Sequence, residues 1–156
     1  MVQIPDLGKA GLTVSGLSVT AATPDGKFSI PTVTDPANAI AMTVTPSVPG
    51  IRIFRRGTFL AYAFNIYNAK IDSATGKPKL SVQTNLYRNG VLVSEGTPQI
   101  TFLETHSDWS RIQDHAYLRL KPEAETGDYA IEVIVRDLAA GRNAVSSQWI
   151  DFEVVD

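Results

Sequence analysis

The side chains that could do acid–base or metal chemistry are concentrated in one polar segment, residues 104–115. The segment contains two imidazoles and three carboxylates, those of Glu104, His106, Asp108, Asp114 and His115. Imidazole and carboxylate groups are common zinc ligands and common general acids and bases. Their spacing here matches no metal-ligand motif, and polar segments between strands are usually only solvated. We therefore expect no catalytic residue, no metal site and no cofactor in this chain.

Sequence motifs that mark an active site are also absent. No Gly-x-Ser-x-Gly segment is present to expose a nucleophile, and neither a Gly-x-Gly-x-x-Gly segment nor a Walker loop is present to bind phosphates. Residues 72–76 begin like a calcium loop but lack its alternating carboxylates and final glutamate, so we interpret them as a turn. The absence of cysteine excludes disulfides, thiolate catalysis and cysteine-ligated metals. The sequence therefore predicts a protein that is not an enzyme.

Trp109 is the candidate residue for partner binding. It lies among polar residues in the segment 104–115, which shows no clear alternation of apolar and polar side chains. Connecting segments often carry binding residues, and tryptophan is enriched among the anchors of interfaces. We therefore hypothesise that Trp109 lies partly exposed near one end of the domain, at the centre of a patch for a protein partner or a neighbouring domain. The alternative is a tryptophan that folds inward and closes the end of the core.

Aromatic and basic residues elsewhere suggest two further hypotheses. Four residues could form an aromatic platform for a sugar: Tyr62, Tyr67, Trp109 and Trp149. Aromatic residues on strands are more often part of the core, so carbohydrate binding is the alternative function rather than the first. Arg52, Arg55 and Arg56 are interpreted as charges that protect the edge of a strand from aggregation.

The elements that must position these residues are β-strands. Within residues 120–155, two segments alternate apolar and polar side chains with the period of a half-buried strand. The apolar face of the first contains Tyr129, Ile131, Val133 and Val135, and that of the second contains Ile150, Phe152 and Val154. Gly141 and Asn143 lie between them and tolerate the positive φ that a chain reversal needs. We predict that the two segments pair as a hairpin.

A turn containing Pro122 and Gly127 comes directly before Tyr129. This order is typical of the tyrosine corner of immunoglobulin-like sandwiches, in which the tyrosine hydroxyl bonds to the backbone a few residues upstream. We predict such a bond for Tyr129. The alternative is a tyrosine that only packs at the start of a strand.

The rest of the chain also has the pattern of an all-β protein. Asn89-Gly90 is a strong hairpin signal, and further strands are expected at 12–21, 40–45, 58–68, 80–86, 91–92, 100–103 and 116–120. The sequence therefore predicts an immunoglobulin-like β-sandwich with roughly eight antiparallel strands and Greek-key connections. We expect a single domain over residues 1–156 with an extended lead-in at 1–11. An up-and-down barrel is the alternative.

The bulk properties exclude several classes of partner. The 156 residues suffice for one domain with a core, and 44% of them are apolar. A net formal charge of −2 provides no field that would attract nucleic acid, so we expect no nucleic-acid partner. No apolar run approaches the roughly twenty residues that span a bilayer. The first residues also lack the pattern of a signal peptide.

Five stretches, taken in order, are similar to parts of a known family: 2–20, 54–69, 75–96, 127–137 and 147–154. Together they resemble the C-terminal region of the VWFA-related proteins common in acidobacteria, over nearly the whole chain. Members of that family look like exported proteins with a leader, a von Willebrand factor A-type domain and a β-rich tail. The resemblance implies that this chain is such a tail and that it is extracytoplasmic, whether periplasmic, at the cell surface or secreted.

The metal site of the A-type domain does not carry over to this chain. That site uses an Asp-x-Ser-x-Ser motif, and the nearest segment here, residues 108–112, lacks the second serine. From the residues and the resemblance together, we predict a non-catalytic structural or protein-interaction module of an exported bacterial protein. A carbohydrate-binding module that uses exposed aromatic residues is the alternative.

Overall fold

The computed structural model describes residues 11–22, 52–101, 108–142 and 144–156. Of these residues 64% lie in strands and none lies in a helix. The strands, in chain order, are β1 Thr13–Val14, β2 Ser18–Ala22, β3 Ile53–Arg55, β4 Phe59–Tyr67, β5 Ile71–Asp72, β6 Lys77–Pro78, β7 Leu80–Arg88, β8 Val91–Glu95, β9 Gln99–Ile100, β10 Arg111–Arg119, β11 Gly127–Asp137 and β12 Val145–Val155. The predicted all-β class is therefore confirmed. Within the same ranges, no helix is long and apolar enough to cross a membrane.

The strands form two main sheets and one small hairpin. In the first sheet, β4 pairs with β10 along one edge and with β1 and β2 along the other. The second sheet has the order β3-β12-β11-β7-β8, and β9 also pairs with β7. All of these pairs are antiparallel except β3 with β12, which is parallel. The two short strands β5 and β6 pair only with each other.

One hydrophobic core lies between the two main sheets, as in a β-sandwich. The first sheet contributes Val14, Leu60, Tyr62, Phe64, Ile66 and Ile112, and the second contributes Phe54, Leu80, Tyr129, Ile131, Val133, Val135, Ile150, Phe152 and Val154. These residues lie on alternate positions of their strands, because successive side chains of a strand point to opposite faces. The inward faces predicted for the two long C-terminal strands and for residues 58–68 are confirmed.

A polar contact joins the two sheets inside this core. Tyr62 of β4 is only 3% exposed, and its hydroxyl oxygen lies 2.8 Å from Oγ1 of Thr84 in β7. Burial raises the pKa of Tyr62, and the hydrogen bond with Thr84 partly opposes that effect. Because an unpaired buried hydroxyl would destabilise the fold by about 1–3 kcal/mol, the Thr84 partner is what permits a tyrosine here.

The β7–β8 turn is the hairpin predicted at Asn89-Gly90. The two residues have φ angles of 48° and 78°, which are the left-handed values that a type I′ turn requires. The turn is also tied to the start of β11. The backbone N–H of Asn89 donates to the carbonyl of Asp128 at 2.8 Å, and the Asn89 side-chain oxygen accepts from the Asp128 N–H at 3.3 Å.

Some details of the predicted strands are wrong. The segment at 12–21 is two strands, β1 and β2, which pair with different parts of β4. The strand predicted at 116–120 begins at Arg111, because Ile112 is already buried, while Asp114 on the same face breaks the apolar pattern. The described ranges contain twelve strands, five of them with three residues or fewer, so a total of about eight is not confirmed. The strand predicted at 40–45 lies outside the described residues.

The hydrogen bond predicted for Tyr129 is present. Its hydroxyl donates to the backbone carbonyl of Glu125 at 2.7 Å, four residues upstream. The ring of Tyr129 is buried and stacks on Phe152 of β12, with the ring centroids 5.6 Å apart. The bond therefore fixes the connection that leads from β10 in one sheet to β11 in the other.

We predict that Tyr129→Phe lowers the free energy of unfolding by about 1 kcal/mol or more, because it leaves the Glu125 carbonyl without its hydroxyl donor. Tyr67→Phe is the matched control, since Tyr67 lies half-buried on the outward-facing side of β4. Urea unfolding of the three proteins measures the effect. Equal midpoints for Tyr129→Phe and the unsubstituted protein would show that Tyr129 does not act as a corner residue.

The carboxylate of Asp137 holds the opposite end of β11. Asp137 is only 2% exposed. Its Oδ1 accepts hydrogen bonds from the backbone N–H groups of Ala139 and Ala140 at 3.0 and 3.2 Å. Its Oδ2 accepts one from the backbone N–H of Lys70 at 2.6 Å. Asp137 therefore joins the β11–β12 turn to the segment that follows β4.

We predict that Asp137→Ala lowers the free energy of unfolding by about 2–3 kcal/mol, because three N–H groups lose a charged acceptor in a buried place. Glu123→Ala is the control, since it removes an exposed carboxylate from the β10–β11 connection. Chemical unfolding of both variants decides the matter. A loss no larger than that of the control would contradict the role given to Asp137.

Candidate functional site

The polar segment considered first in the sequence does not assemble a site in the part of the chain that is described. Glu104 and His106 lie outside the described residues. His115 is exposed on β10 and its ring meets the ring of Tyr117 edge-on. Asp108 accepts hydrogen bonds from Ser110, and these lower its pKa below the usual value. Among the described residues, no three His, Cys, Asp or Glu side chains form a group that could hold a metal ion.

Trp109 lies between the two alternatives considered for it. It is half-buried, directly before β10, and it packs against the edge of the hydrophobic core. Its role in partner binding stays a prediction. The four-residue aromatic platform is wrong, because Tyr62 is only 3% exposed and its hydroxyl is bound inside the core.

The structure instead shows an open depression on the six-stranded sheet, beside the β7–β8 turn. Its volume is about 760 Å³, within the range of roughly 300–1,000 Å³ that is usual for ligand pockets. The residues that line it are Arg52, Tyr87, Asn89, Gly90, Asp128, Tyr129, Ala130, Trp149, Asp151 and Phe152. They come from the end of β7 and the turn that follows it, from the residue before β3, from the start of β11 and from the middle of β12. We refer to this feature as the Trp149 depression.

Two aromatic side chains form one wall of the Trp149 depression. Trp149 lies on the outward-facing side of β12 and is 49% exposed. The ring of Tyr87 lies beside it, with the centroids 4.8 Å apart and the planes tilted by 48°. The tilt makes the pair an angled surface rather than a flat stack. An exposed indole that is already supported by a neighbouring ring can cover a ligand with little loss of side-chain entropy.

A carboxylate holds Tyr87 in place. Glu132 of β11 is the register partner of both Trp149 on β12 and Asn85 on β7. Its Oε2 accepts one hydrogen bond from the Tyr87 hydroxyl at 3.0 Å and another from the Asn85 side-chain amide at 3.1 Å. These charge-assisted bonds are stronger than neutral ones. They restrain the Tyr87 ring against which Trp149 rests.

The hydrogen bonds continue along the outward-facing side of β7. The Gln83 amide donates to Asn85 Oδ1 at 3.2 Å, and Arg136 Nη1 donates to Gln83 Oε1 at 3.0 Å. Gln83 and Asn85 are only 7% and 6% exposed. The backbone of Gly96 also donates to Asn85 Oδ1 at 3.3 Å. A Cβ on Gly96 would lie 2.2 Å from a carbonyl oxygen of β7, so only glycine can approach this closely.

The charged groups at the Trp149 depression are mainly negative. Its lining has one positive and two negative formal charges, from Arg52, Asp128 and Asp151. The guanidinium of Arg52 donates from Nη1 to the backbone carbonyl of Asp151 at 3.0 Å. The Glu132 carboxylate lies next to the aromatic wall through its bond with Tyr87. Arg52 therefore does more than protect a strand edge, whereas Arg56 forms an ion pair with Asp156.

The sequence singled out only part of this arrangement. Its patterns indicate Trp149 as a sugar-binding aromatic and Arg52 as an edge charge, but none of them indicates Tyr87, Glu132 or Asp128 as a site residue. The alternation along β11 and β12 could have placed Glu132 and Trp149 on the outer face. The register that sets Glu132 between Trp149 and Asn85 could not be read from that alternation, because it is a property of strand pairing.

The chain is similar to proteins of known structure. No protein-family model and no curated protein matches the chain. A solved structure to which the chain is similar is the Pseudomonas fluorescens alkylpurine DNA glycosylase AlkC bound to DNA containing an abasic site analog. The sequence identity is 13% and the TM-score is 0.43. The match covers 96% of this chain and 32% of the glycosylase chain, so this chain spans only part of that protein's length.

This comparison corrects three predictions made from the sequence. They are that the chain is not an enzyme, that it has no nucleic-acid partner, and that it is a non-catalytic structural or protein-interaction module, with carbohydrate binding as the alternative. The comparison contradicts all three, because the similar protein is a DNA-bound enzyme. Missing motifs exclude only the chemistries that use those motifs. At this identity and TM-score, the likeness gives the chain neither an activity nor a ligand, so function must be inferred from the described geometry.

The pKa of Tyr87 provides a test of the Glu132 contact. Desolvation raises this pKa, and the hydrogen bond to Glu132 raises it further because a phenolate could not donate to a carboxylate. We predict that the absorbance titration of the folded protein, minus that of Tyr87→Phe, has a midpoint above the usual value of 10.0. Far-UV circular dichroism should establish that both proteins stay folded over the pH range used. A difference midpoint at or below 10.0 would contradict the contact.

Proposed function

We propose that this chain is a ligand-binding β-sandwich module and that the Trp149 depression is its binding site. The observation that carries the proposal is an exposed indole that rests against a second ring, and that second ring is hydrogen-bonded to a carboxylate. Trp149 is 49% exposed, and Tyr87 beside it is fixed by Glu132. A large apolar ring that stays in water without gaining core contacts is favoured where a ligand covers it.

Preorganisation supports the same proposal. The side chains behind the aromatic wall form a continuous set of hydrogen bonds: Tyr87, Glu132, Asn85, Gln83 and Arg136. A ligand that binds here does not have to order the side chains that receive it, which reduces the entropic cost of binding. The site also lies on paired strands rather than on a long loop, which holds its geometry closely.

For the fold, we infer an immunoglobulin-like topology with Greek-key connections. Three features support the inference. The Tyr129 hydroxyl bonds four residues upstream at the crossover into β11. The order β12-β11-β7-β8 lies opposite a sheet in which β4 pairs with β10. In sequence, β3 lies between β2 and β4 of the first sheet, but it belongs to the second sheet, where it pairs in parallel with the last strand, β12. This combination is typical of immunoglobulin-like sandwiches.

The resemblance to the tail of acidobacterial VWFA-related proteins, and the extracytoplasmic location that it implies, remain proposals. A native reading frame that encodes an A-type domain ahead of this chain would support both. Cell fractionation of the source bacterium, with an antibody against the chain, would test the location directly. Detection only in the cytoplasmic fraction would contradict it.

Binding at the Trp149 depression can be tested without knowing the natural ligand. We predict that a panel of small cationic, anionic and neutral fragments contains members that shift the indole N–H signal of Trp149 in ¹H–¹⁵N spectra. The same members should shift the backbone signals of Asn89 and Gly90, which line the depression. Trp149→Ala should abolish the backbone shifts of Asn89 and Gly90. The urea midpoint of this variant should stay close to that of the unsubstituted protein, since the lost side chain lies on the outward-facing side of β12.

Two results would contradict the proposed function. One is that no fragment of any charge class shifts the Trp149 signal. The other is that the shifts lie on another part of the surface, for example around Trp109, and persist in Trp149→Ala. The indole signal of Trp109 is the internal control, because the chain has only two tryptophans.

A further inference from the structure

We propose, resting on the binding site proposed above, that the Trp149 depression binds an organic cation with an alkylated ammonium group. The chemical class follows from the combination of an aromatic wall with an excess of carboxylates. Cations bind over aromatic rings because the ring faces carry negative electrostatic potential. Alkylated ammonium groups in particular are recognised by aromatic side chains that cover their methyl groups.

The aromatic wall has a suitable shape for such a group. The planes of Tyr87 and Trp149 are tilted by 48°, with centroids 4.8 Å apart. At a centroid separation of 4.8 Å the two rings contact each other, so an ammonium group lies against both of them from the depression that they line rather than between them. Trp149 is 49% exposed, and indole is the ring that binds cations best.

The bond between Tyr87 and Glu132 strengthens this wall. The Tyr87 hydroxyl donates its proton to a carboxylate at 3.0 Å. Donation to an anion moves electron density from the hydroxyl into the phenol ring, and a more electron-rich ring attracts a cation more strongly. The carboxylate of Glu132 also adds its own negative charge within hydrogen-bonding distance of the wall. Glu132 is thus a positioning residue that also favours a positive ligand.

The remaining charges favour a cation over an anion. Asp151 lies two residues from Trp149 on the same face of β12, and Asp128 lies at the start of β11, where it is bonded to the turn residue Asn89. Both carboxylates are exposed at the depression. The one cation of the lining, Arg52, already donates to the Asp151 carbonyl. A phosphate group in this place would face two carboxylates with one arginine, and like charges in a contact oppose binding.

The test uses the complete chain labelled with 5-fluorotryptophan, which gives one ¹⁹F signal for each of the two tryptophans. Choline is the cationic probe, and 3,3-dimethylbutan-1-ol is its neutral control of the same shape. We expect choline to shift the Trp149 signal in a saturable manner and the Trp109 signal to stay in place. The dissociation constant of the neutral control should be about twofold to fivefold higher than that of choline. This is the factor expected when an exposed cation–π contact is lost.

Substitutions connect the shift to the proposed groups. Asp151→Asn and Asp128→Asn should each raise the choline dissociation constant by about twofold to fivefold, since each removes one attractive charge at an exposed site. Glu132→Gln should also weaken choline binding, whereas the exposed Glu123→Gln should leave it unchanged. Urea midpoints of all four variants establish that the fold is retained.

The outcomes separate this inference from the proposed function. If inorganic phosphate or oligothymidylate shifts the Trp149 signal and choline does not, the cationic class is overturned while the binding site stands. Equal binding of choline and its neutral control would also overturn the cationic class. If none of these probes and no fragment of the wider panel shifts the Trp149 signal, both the site and its ligand class are refuted.

Discussion

The pairing of β11 along both of its edges is the constraint on which the rest of the structure depends. β7 and β12 are hydrogen-bonded to it over nearly its whole length. A strand paired on both sides cannot rotate, so its alternate side chains are fixed on opposite faces of the sheet. The inner face of β11 thereby supplies four buried core residues, Tyr129, Ile131, Val133 and Val135. Its outer face includes Glu132 and Arg136.

The same pairing generates the Trp149 depression. Because Glu132 lies between Trp149 on one neighbour and Asn85 on the other, it can accept from the groups that surround the aromatic wall. A shift of one residue in either register would place Trp149 or Asn85 on the core side. The ends of β11 are fixed as well, by Tyr129 at its start and Asp137 at its end. The core and the binding face are therefore two consequences of one strand alignment.

The sequence predicted the inner face of the sandwich better than its outer face. The long alternating strands, the Asn89-Gly90 turn and the Tyr129 bond could be predicted because each leaves a local pattern of residue types. The first residues of β10 could not be predicted, because Asp114 interrupts the apolar alternation there. The Trp149 depression unites residues more than sixty positions apart, such as Tyr87 and Trp149, and no local pattern records that proximity.

The functional predictions failed for a different reason. Those that are wrong were drawn from missing motifs and from net charge. A net charge of −2 describes the whole chain, whereas binding depends on the charges near one surface, here Arg52, Asp128 and Asp151. Trp149 stands in a strand whose pattern is that of a core element, yet its own position faces outward. Its role became visible only when its neighbours were known.

The central claim is that an alkylated ammonium group lies against the rings of Trp149 and Tyr87. Intermolecular nuclear Overhauser effects measure this contact most directly, with the methyl protons of choline as the source. The account predicts cross-peaks from these methyl protons to ring protons of both Trp149 and Tyr87, and their loss in Trp149→Ala. Cross-peaks only to residues outside the Trp149 depression, or none at a choline concentration that saturates the fluorine shift, would contradict it.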